Sequence, residues 1–490
     1  MKIKTAFGRS IGVALAWLAA VGPAFPQSAP RAVEQAEALR LADAWLESIA
    51  AYQNIPAISA GVVADERLVW ARGYGTLDAA HKVAATPRTI YSICSISKLF
   101  TSVAVMQLYE AGKVRLDEPV TTYLPWAKLT SAEADSGPIT LRAVLSHSGG
   151  LPRDADLPYW TAPDFTFPTQ AQLRGAVGAQ ASAGPASRYY RYSNLGLTLV
   201  GETVEAVSGQ AYGDYMQGQV LGPLGLADTR TSMPTALQGV RLAVGYGARK
   251  RDGSRDRLAA FDARAITPAA GYTSTVEDLA RFAAWQLRLL RTGSAEVLKA
   301  STLREMQRVQ FVDPASKRTR GLGFAISTRG GQTFVGHEGN CPGHQSVLSL
   351  EPASGRAVIV MNNASESPEP WAEGIFALLD KRKGFEFEGA LPAVDLEAYA
   401  GRYSEQPYAA ESVMVPWAGG LAYVVLPSSA PAAELQLLKP KGGDVFRRVR
   451  DDGSEADEFR FVRDASGKVV RFIYEGNPVA RLPPVAGGRP

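Results

Sequence analysis

The sequence of 490 residues has few of the side chains that commonly form metal sites. It contains only two cysteines, Cys94 and Cys341, and four histidines, and these residues do not have the spacing of zinc ligands. We therefore expect neither a metal site nor a cofactor. Internal repeats and low-complexity linkers are also absent from the sequence, which is otherwise typical of a globular protein.

An excess of charge of either sign is absent as well. The formal net charge is +4 at pH 7. Lys2, Lys4 and Arg9 lie in a segment that we interpret below as a removable leader, so that about +1 remains without them. Such a nearly neutral chain is not typical of proteins that bind nucleic acids or are strongly attracted to anionic membranes, and we expect neither kind of partner.

Long apolar runs are rare. The longest extends from Ile11 to Val21, after a basic start and before small residues at Gly22 and Ala24. It is too short to span a bilayer comfortably and is typical of a cleavable signal peptide, which we predict at residues 1–24. A buried N-terminal helix is the alternative, but it would not need the basic flank. Because the leader has no cysteine for a lipoprotein anchor, we expect a periplasmic or secreted protein without stable membrane insertion.

Two kinds of pattern follow the leader. Residues 31–388 mix helical and strand patterns, with an amphipathic helix over 31–50, a β-hairpin after it, and a loop-rich segment with short helices at 120–265. Residues 391–486 show short alternating strands separated by glycine-containing turns. We predict an α+β domain followed by a small antiparallel barrel or sandwich.

The segment "YSICSISKLF" contains the only S-x-x-K pattern of the chain, from Ser95 to Lys98. At the start of the helix predicted from Ser95, residues three apart share a face, so the lysine amine can lie beside the serine hydroxyl. A lysine among apolar neighbours can lose its proton and act as a base for a serine nucleophile, and the helix N-terminus can stabilise an oxyanion. A serine cap with a solvated lysine is the commoner explanation of such a motif when it stands alone.

Tyr-x-Asn occurs twice, at Tyr52–Asn54 and at Tyr192–Asn194. The second lies in "RYYRYSNLGLTLVGETVEAVSG", where a loop leads into an apolar-periodic helix. A phenol there can relay protons if a neighbouring cation lowers its pKa. The alternative is a packed tyrosine with Asn194 as the helix cap, and the motif alone leaves both open.

His-x-Gly also occurs twice. His147 and Gly149 belong to the turn-like "LSHSGGLP", where we expect a structural histidine that holds the turn by hydrogen bonds. His337 and Gly339 lie on a predicted strand, where a polar side chain beside a glycine can pair with a substrate along the strand edge.

These motifs occur in one direction together with segments such as "ITLRAVLSHSGGLP", "PLGLADTRTS" and "GHEGNCPGHQSVLSLEP". In this combination the chain resembles the penicillin-recognising serine hydrolases, specifically the group of class C β-lactamases, DD-carboxypeptidases, D-aminopeptidases and related esterases. The resemblance covers roughly residues 35–385. It implies an α+β fold in which an antiparallel sheet is flanked by helices and joined to an all-helical lobe, with the catalytic domain at residues 31–388.

The resemblance also implies roles for individual residues. Ser95 would be the acylated nucleophile, Lys98 and Tyr192 would share the work of general base and general acid, and Asn194 would hydrogen-bond to the lysine and to the substrate amide. The backbone N–H groups of Ser95 and Asn340 would form the oxyanion hole.

His337 would occupy the strand position that is usually lysine, two residues before Gly339. Because neutral histidine lacks the fixed cation that recognises carboxylates, we expect weaker recognition of β-lactams and peptide C-termini, which favours D-aminopeptidase or esterase activity. Glu338 replaces the usual hydroxyl residue and is expected to add negative charge nearby, which would also disfavour anionic substrates.

The two cysteines flank these motifs. Cys94 directly precedes Ser95, and Cys341 follows Gly339 by two residues. Export favours a bridge over two free thiols, and a similar pair at these offsets is bridged in the class A serine carbapenemases. The resemblance therefore implies a Cys94–Cys341 disulfide beside the oxyanion hole, without bearing on the substrate.

Residues 391–486 resemble the lipocalin-like C-terminal barrels of some members of this group. Such a barrel can wall the active-site cleft or serve only as structural support, and the sequence leaves both possibilities open.

We therefore expect an exported serine hydrolase that forms an acyl-enzyme at Ser95 on an amide, ester or β-lactam bond of a small molecule or peptidoglycan-derived peptide. A D-aminopeptidase or esterase with little β-lactam activity is the alternative. A non-catalytic penicillin-binding sensor is a further one, although a sensor would not need both Lys98 and Tyr192. An α/β-hydrolase is disfavoured because no G-x-S-x-G occurs in the sequence.

Overall fold

A computed structural model describes residues 29–483 apart from residues 79, 81, 130, 132, 178, 179 and 181. The signal peptide predicted at residues 1–24 lies outside the described residues, as do residues 484–486 of the predicted barrel segment. Within the described part of the chain, no helix is both long and apolar enough to cross a membrane.

Eleven α-helices lie within the described residues. They are α1 (Ala29–Tyr52), α2 (Ser97–Glu110), α3 (Val120–Tyr123), α4 (Leu141–Leu145), α5 (Gln170–Val177), α6 (Asn194–Ser208), α7 (Tyr212–Met216), α8 (Thr267–Ala270), α9 (Val276–Thr292), α10 (Ala300–Gln307) and α11 (Glu369–Arg382).

Thirteen described strands precede α11. They are β1 (Ala57–Ala64), β2 (Arg67–Asp78), β3 (Val83–Ala84), β4 (Tyr91–Ser92), β5 (Thr273–Ser274), β6 (Ala295–Glu296), β7 (Leu298–Lys299), β8 (Phe311–Val312), β9 (Thr319–Arg320), β10 (Ala325–Arg329), β11 (Gln332–Cys341), β12 (His344–Glu351) and β13 (Arg356–Asn362). Nine of them form an antiparallel sheet in the order β3-β2-β1-β13-β12-β11-β10-β9-β8. The predicted hairpin is confirmed as β1 and β2, which pair from Ala57 to Ala64.

Helices cover both faces of this sheet, and the strand sequences show why. Strand β1 is buried along its whole length, so it carries small and branched apolar residues on both sides rather than alternating with polar ones. Val63, Leu348 and Ile359 pack with α2 and α9 on one face. Ile58 and Val358 pack with α1 and α11 on the other. We refer to the face that packs with α2 and α9 as the α2 face, and to the face that packs with α1 and α11 as the α1 face.

The loop-rich segment predicted at residues 120–265 is confirmed as a lobe of the short helices α3, α4, α5 and α7 and the longer α6, with long loops between most of them. Its core residues, among them Leu145, Leu195 and Leu199, join those of α2 and the α2 face in one hydrophobic cluster. The lobe and the sheet therefore hold α2 between them.

A second antiparallel sheet follows α11. Its strands are β14 (Gly401–Tyr403), β15 (Glu411–Trp417), β16 (Gly420–Leu426), β17 (Gln436–Gly442), β18 (Val445–Val449), β19 (Glu455–Arg463), β20 (Val469–Tyr474) and β21 (Asn477–Ala480). They neighbour one another in chain order, and a bridge between Tyr403 and Arg481 brings the two ends together into a nearly closed barrel. The predicted domain limits at 388 and 391 fall between α11 and β14 and stay a prediction.

Aromatic rings fill the interior of the barrel. They pack edge-on or tilted against one another at centroid distances between 4.7 and 6.2 Å, and burial of such large rings supplies most of the apolar area of a small domain. The rings are those of Tyr399, Tyr403, Tyr423, Phe446, Phe459, Phe461 and Phe472.

The barrel packs on the α1 face, across the sheet from α2. Trp45 of α1 is buried and donates its indole N–H to the carbonyl oxygen of Ser428 at 2.9 Å. Arg402 on β14 forms an ion pair with Glu47 of α1 at 2.5 Å. Apolar residues of β15 and β16 join the same hydrophobic cluster as α1 and α11. These contacts fit the alternative in which the barrel supports the fold.

Candidate active site

Ser95 lies in a tight 3-10 turn, Cys94–Ile96, that leads directly into α2. The sequence predicted an α-helix from Ser95, whereas the structure begins it at Ser97. The first turn is of the 3-10 type, as is frequent at helix N-termini, and Cys94 at its start has a φ of 50°, in the left-handed region. The turn leaves Ser95 half-buried between two buried neighbours, Cys94 and Ile96.

Lys98 is fully buried one turn further along. Its Nζ atom lies 2.9 Å from Ser95 Oγ, 2.8 Å from Asn194 Oδ1 and 2.7 Å from the carbonyl oxygen of Ala269 in α8. Burial lowers the pKa of Lys98 well below its ordinary value, and the positive charges of Arg153 and Arg320 lower it further. The solvated lysine of the alternative interpretation is therefore wrong.

These three contacts can also serve a neutral amine, the form that burial favours. The amide oxygen of Asn194 and the carbonyl oxygen of Ala269 can only accept hydrogen bonds. They take up the two N–H bonds of a deprotonated Lys98, and its lone pair is then left facing Ser95 Oγ. The geometry thus matches a base for the serine hydroxyl.

Tyr192 contacts the same oxygen, and its hydroxyl donates to Ser95 Oγ at 2.7 Å. The ring lies 4.3 Å from that of His147 and 5.2 Å from the Arg153 guanidinium, measured from the ring centroid. Burial raises the pKa of Tyr192, and the neighbouring Arg153 and Arg320 offset only part of that rise. The sequence argument required a cation that lowers the pKa, but desolvation outweighs it, so the phenol is a proton donor at neutral pH.

Asn194 is the first residue of α6 and faces Lys98. The alternative that it caps the helix is wrong, because the cap is Ser193, whose Oγ accepts a hydrogen bond from Gly196 N at 2.8 Å. The other Tyr-x-Asn motif lies at the end of α1, where Asn54 Nδ2 donates to the carbonyl oxygen of Gly253.

His337 lies on β11 and is 7 % exposed. Burial, aided by the charge of Arg320, lowers its pKa to about 3, so the ring is neutral at pH 7. Its Nδ1 lies 2.5 Å from the carbonyl oxygen of Glu338, which requires a proton on Nδ1 and leaves Nε2 as an acceptor. No described residue hydrogen-bonds to that Nε2 atom.

Glu338 points away from this site. In the register of β11 and β12, His337 opposes Leu348 and Glu338 opposes Val347. Leu348 belongs to the core on the α2 face and Val347 to the core on the α1 face, so the two side chains of β11 point to opposite faces. The expectation that Glu338 adds negative charge beside the nucleophile is therefore wrong.

Gly339 brings β11 against the nucleophile turn. A Cβ atom at this position would overlap the carbonyl oxygen of Ile93 and Ser346 Oγ. Strand β10 pairs with β11 only up to Gly336, so among the described strands none covers the far edge from His337 to Cys341. The strand edge predicted to meet a substrate is thus not paired with another described strand. The role of Asn340, which is exposed on this edge, in an oxyanion hole stays a prediction.

Cys94 and Cys341 form a disulfide with a Cα–Cα distance of 5.8 Å, which confirms the predicted bridge. Both residues are buried, and together they tie the nucleophile turn to the end of β11.

Loss of this disulfide is expected to destabilise the protein. The bridge joins residues 247 positions apart, and loop-closure entropy sets an upper value of about 5 kcal/mol for its stabilisation. We expect a Cys94→Ala/Cys341→Ala variant to unfold at a lower urea concentration, measured by circular dichroism. Reduced wild-type protein is the control and should shift in the same direction. An unchanged midpoint in both samples would contradict a stabilising role.

The sequence interpretation missed two partners of this site. Asp154 accepts a hydrogen bond from Asn194 Nδ2 at 2.9 Å, and Ala269 supplies the carbonyl oxygen that holds Lys98. No local motif marks either residue, because each contact joins distant parts of the chain. His147 is structural as expected. Its carbonyl oxygen accepts from Arg191 N at 2.7 Å and its Nδ1 from Ser193 N at 3.2 Å.

Among the described residues, no group of His, Cys, Asp and Glu side chains is arranged to hold a metal ion.

The chain is similar to known proteins over most of its length. The family model described as Beta-lactamase matches residues 42–383. Penicillin-binding protein 4 of Amycolatopsis lactamdurans is 27 % identical over 354 residues, which cover 68 % of this chain and 89 % of that protein.

Solved structures agree with this match. The octameric penicillin-binding protein homologue from Pyrococcus abyssi has a TM-score of 0.60 and 25 % identity and covers 90 % of this chain and 99 % of its own. A class C β-lactamase from Rhodobacter sphaeroides has a TM-score of 0.57 and 21 % identity, over 70 % of this chain and 98 % of its own. Sequence, fold and the Ser95 geometry agree, and this chain belongs to the Beta-lactamase family of serine hydrolases.

Proposed function

We propose that the protein hydrolyses amide or ester bonds through an acyl-enzyme formed on Ser95. The observation that carries this proposal is the pair of contacts on Ser95 Oγ. A buried amine lies 2.9 Å from it, and a phenolic hydroxyl lies 2.7 Å from it. A nucleophile that contacts both a base and a proton donor is the arrangement that acyl transfer needs.

In the proposed acylation, Ser95 Oγ attacks the carbonyl carbon while neutral Lys98 accepts the hydroxyl proton. The new C–O bond pushes the carbonyl electron pair onto oxygen. When the tetrahedral intermediate collapses, the bond to the leaving group breaks and Tyr192 gives its phenolic proton to the leaving atom. The proton on Lys98 then passes to the phenolate. Water repeats these steps in reverse to release the acid.

The oxyanion would bind to the backbone N–H groups of Ser95 and Asn340. The close approach of Gly339 to Ile93 supports this assignment, because it places β11 directly against the nucleophile turn. Preorganised N–H donors of this kind typically contribute about a hundredfold or more to the rate.

The neutral His337 supports amides and esters over β-lactams as substrates. At this strand position it offers an acceptor rather than a fixed cation, so it does not attract a carboxylate. We propose a D-aminopeptidase or esterase acting on small molecules or peptidoglycan-derived peptides. Export through the segment at residues 1–24 is part of this proposal.

Labelling with a fluorophosphonate tests the nucleophile. We expect wild-type protein to gain the mass of one phosphonyl group on Ser95, and a Ser95→Ala variant to gain none. Ser466→Ala, which removes an exposed hydroxyl from the barrel, is the matched control and should be labelled like wild type. Labelling of Ser95→Ala at wild-type rate would contradict the assignment.

A substrate panel then separates the remaining functions. We expect turnover of 4-nitrophenyl acetate or D-alanine 4-nitroanilide with little turnover of the cephalosporin nitrocefin. Nitrocefin as the best substrate would identify a β-lactamase instead. A stable adduct with penicillin and no turnover of any of the three would identify a penicillin-binding sensor.

A further inference from the structure

We propose that Asp154 is a positioning residue that holds the base Lys98 in place through the amide of Asn194. This inference rests on the proposed function, because it concerns the residue that accepts the proton of Ser95. Nothing in the sequence motifs marks Asp154, which follows "GGLPR" in the loop after α4.

One carboxylate oxygen of Asp154 accepts hydrogen bonds from three donors. Its Oδ1 accepts from Asn194 Nδ2 at 2.9 Å, from the Tyr159 hydroxyl at 2.9 Å and from Trp160 Nε1 at 3.2 Å. The carboxylate is largely buried, with 20 % of the side chain exposed. Tyr159 and Trp160 thus fix the carboxylate, and the carboxylate in turn binds the amide of Asn194.

This contact decides which way the amide of Asn194 points. A carboxylate can only accept, so the NH₂ group must face Asp154 and the carbonyl oxygen must face Lys98. If the amide of Asn194 were reversed, its NH₂ group would face the lysine amine. One N–H bond of the lysine would then have no acceptor. Asp154 therefore orients the lone pair of Lys98 towards Ser95, although it touches neither residue.

The backbone of the same loop is bound to the start of α6. The carbonyl oxygen of Arg153 accepts from the N–H groups of Asn194 and Leu195 at 2.7 and 3.1 Å. Ser193 Oγ donates to the carbonyl oxygen of Pro152 at 2.6 Å. The position of Asp154 is thus coupled to that of the Tyr-x-Asn motif, which makes its carboxylate a fixed part of the site.

Charge gives Asp154 an effect that packing alone would not have. Within the set of groups that face Lys98, Asp154 carries the negative charge and favours the ammonium form, against burial and the two guanidinium groups. Charged or titratable side chains face this region from four parts of the chain, namely His147, Arg153 and Asp154 from the loop after α4, Tyr190 and Tyr192 from the loop before α6, Arg320 from β9 and His337 from β11.

The test is the pH dependence of fluorophosphonate labelling of Ser95, which needs no knowledge of the substrate. We expect Asp154→Asn to lower the plateau rate by about tenfold or more, as removal of such outer partners does elsewhere. We also expect the acid limb of the profile to move to lower pH, because loss of the negative charge makes Lys98 easier to deprotonate. Asp156→Asn removes an exposed carboxylate from the same loop and should leave both features unchanged.

A second variant keeps the test decisive. Asp154→Glu keeps the charge but moves the carboxylate. We therefore expect a lower plateau rate of labelling, with the acid limb of the pH profile at the same pH as in wild type. A lowered plateau in Asp154→Asn with an unmoved acid limb would show only loss of packing and would overturn the proposal. Wild-type rates in both variants would overturn it as well. Wild-type protein that takes no label would instead overturn the proposed function.

Discussion

Replacement of Lys98 by methionine is expected to lower the rate of Ser95 acylation by about a thousandfold, the middle of the range for loss of a general base. Methionine fills a similar volume but has no basic atom, so Ser95 keeps its proton when it attacks. The second-order rate constant of fluorophosphonate labelling measures this directly. Circular dichroism should show a folded protein, because methionine fills the buried volume, but the unfolding temperature should fall since Asn194 Oδ1 and the carbonyl oxygen of Ala269 lose their donor.

The wild-type pH profile belongs to the same prediction. Burial lowers the pKa of Lys98 well below its ordinary value, and only the neutral amine can accept a proton. The labelling rate should therefore rise with pH through a single ionisation that lies well below the ordinary pKa of lysine, and it should level off above it. In the Lys98→Met variant this ionisation should disappear from the profile.

Lys113→Met provides the matched control, since this lysine is exposed just beyond the end of α2. It should label at the wild-type rate and with the wild-type pH profile. If Lys98→Met retained more than a tenth of the wild-type rate, a base other than Lys98 would have to act on Ser95.

The second large effect is expected for Gly339→Ala. The added methyl group would overlap the carbonyl oxygen of Ile93 and Ser346 Oγ. Neither can move freely, because Ser346 Oγ donates to that same carbonyl oxygen at 3.0 Å and Ile93 N is bonded to the carbonyl oxygen of Tyr272. Strand β11 would have to shift away from Ser95, and a shift of about 1 Å typically costs about a hundredfold in rate.

Labelling kinetics and thermal unfolding together check this prediction. Overpacking of this kind destabilises a protein by about 1–3 kcal/mol, so the unfolding temperature should fall along with the rate. Gly175→Ala is the control, because this glycine is exposed in α5 and a Cβ atom there meets nothing within 4 Å. It should label normally and gain about 0.5–1 kcal/mol in helix stability. Normal labelling of Gly339→Ala would contradict the close approach of β11 to Ser95.

The position of the barrel bears on both experiments. Its contacts with α1 and α11 lie across the sheet from Ser95. Substitutions at Lys98 and Gly339 are therefore expected to leave the barrel intact, and the near-ultraviolet signal of the buried aromatic side chains checks folding of the whole chain.

Features that depend on neighbours in the chain could be predicted from the sequence. Ser95 and Lys98 are three residues apart, so one turn of helix brings them together whatever surrounds them. The β1–β2 hairpin, the lobe of short helices and the strands of the barrel follow from periodicity and turn residues in the same way. The order of the motifs then identified the family and, with it, the partners Tyr192, His337 and Cys341.

Tertiary structure alone decided the chemical state of these groups. Burial decides that the pKa of Tyr192 is raised and that His337 has a free acceptor. Strand register decides the side to which Glu338 points. Contacts between residues far apart in the chain added the carboxylate of Asp154 and the carbonyl of Ala269. A side chain's proton affinity depends on the solvent and charges around it, and folding creates that environment from distant segments, which local sequence patterns do not record.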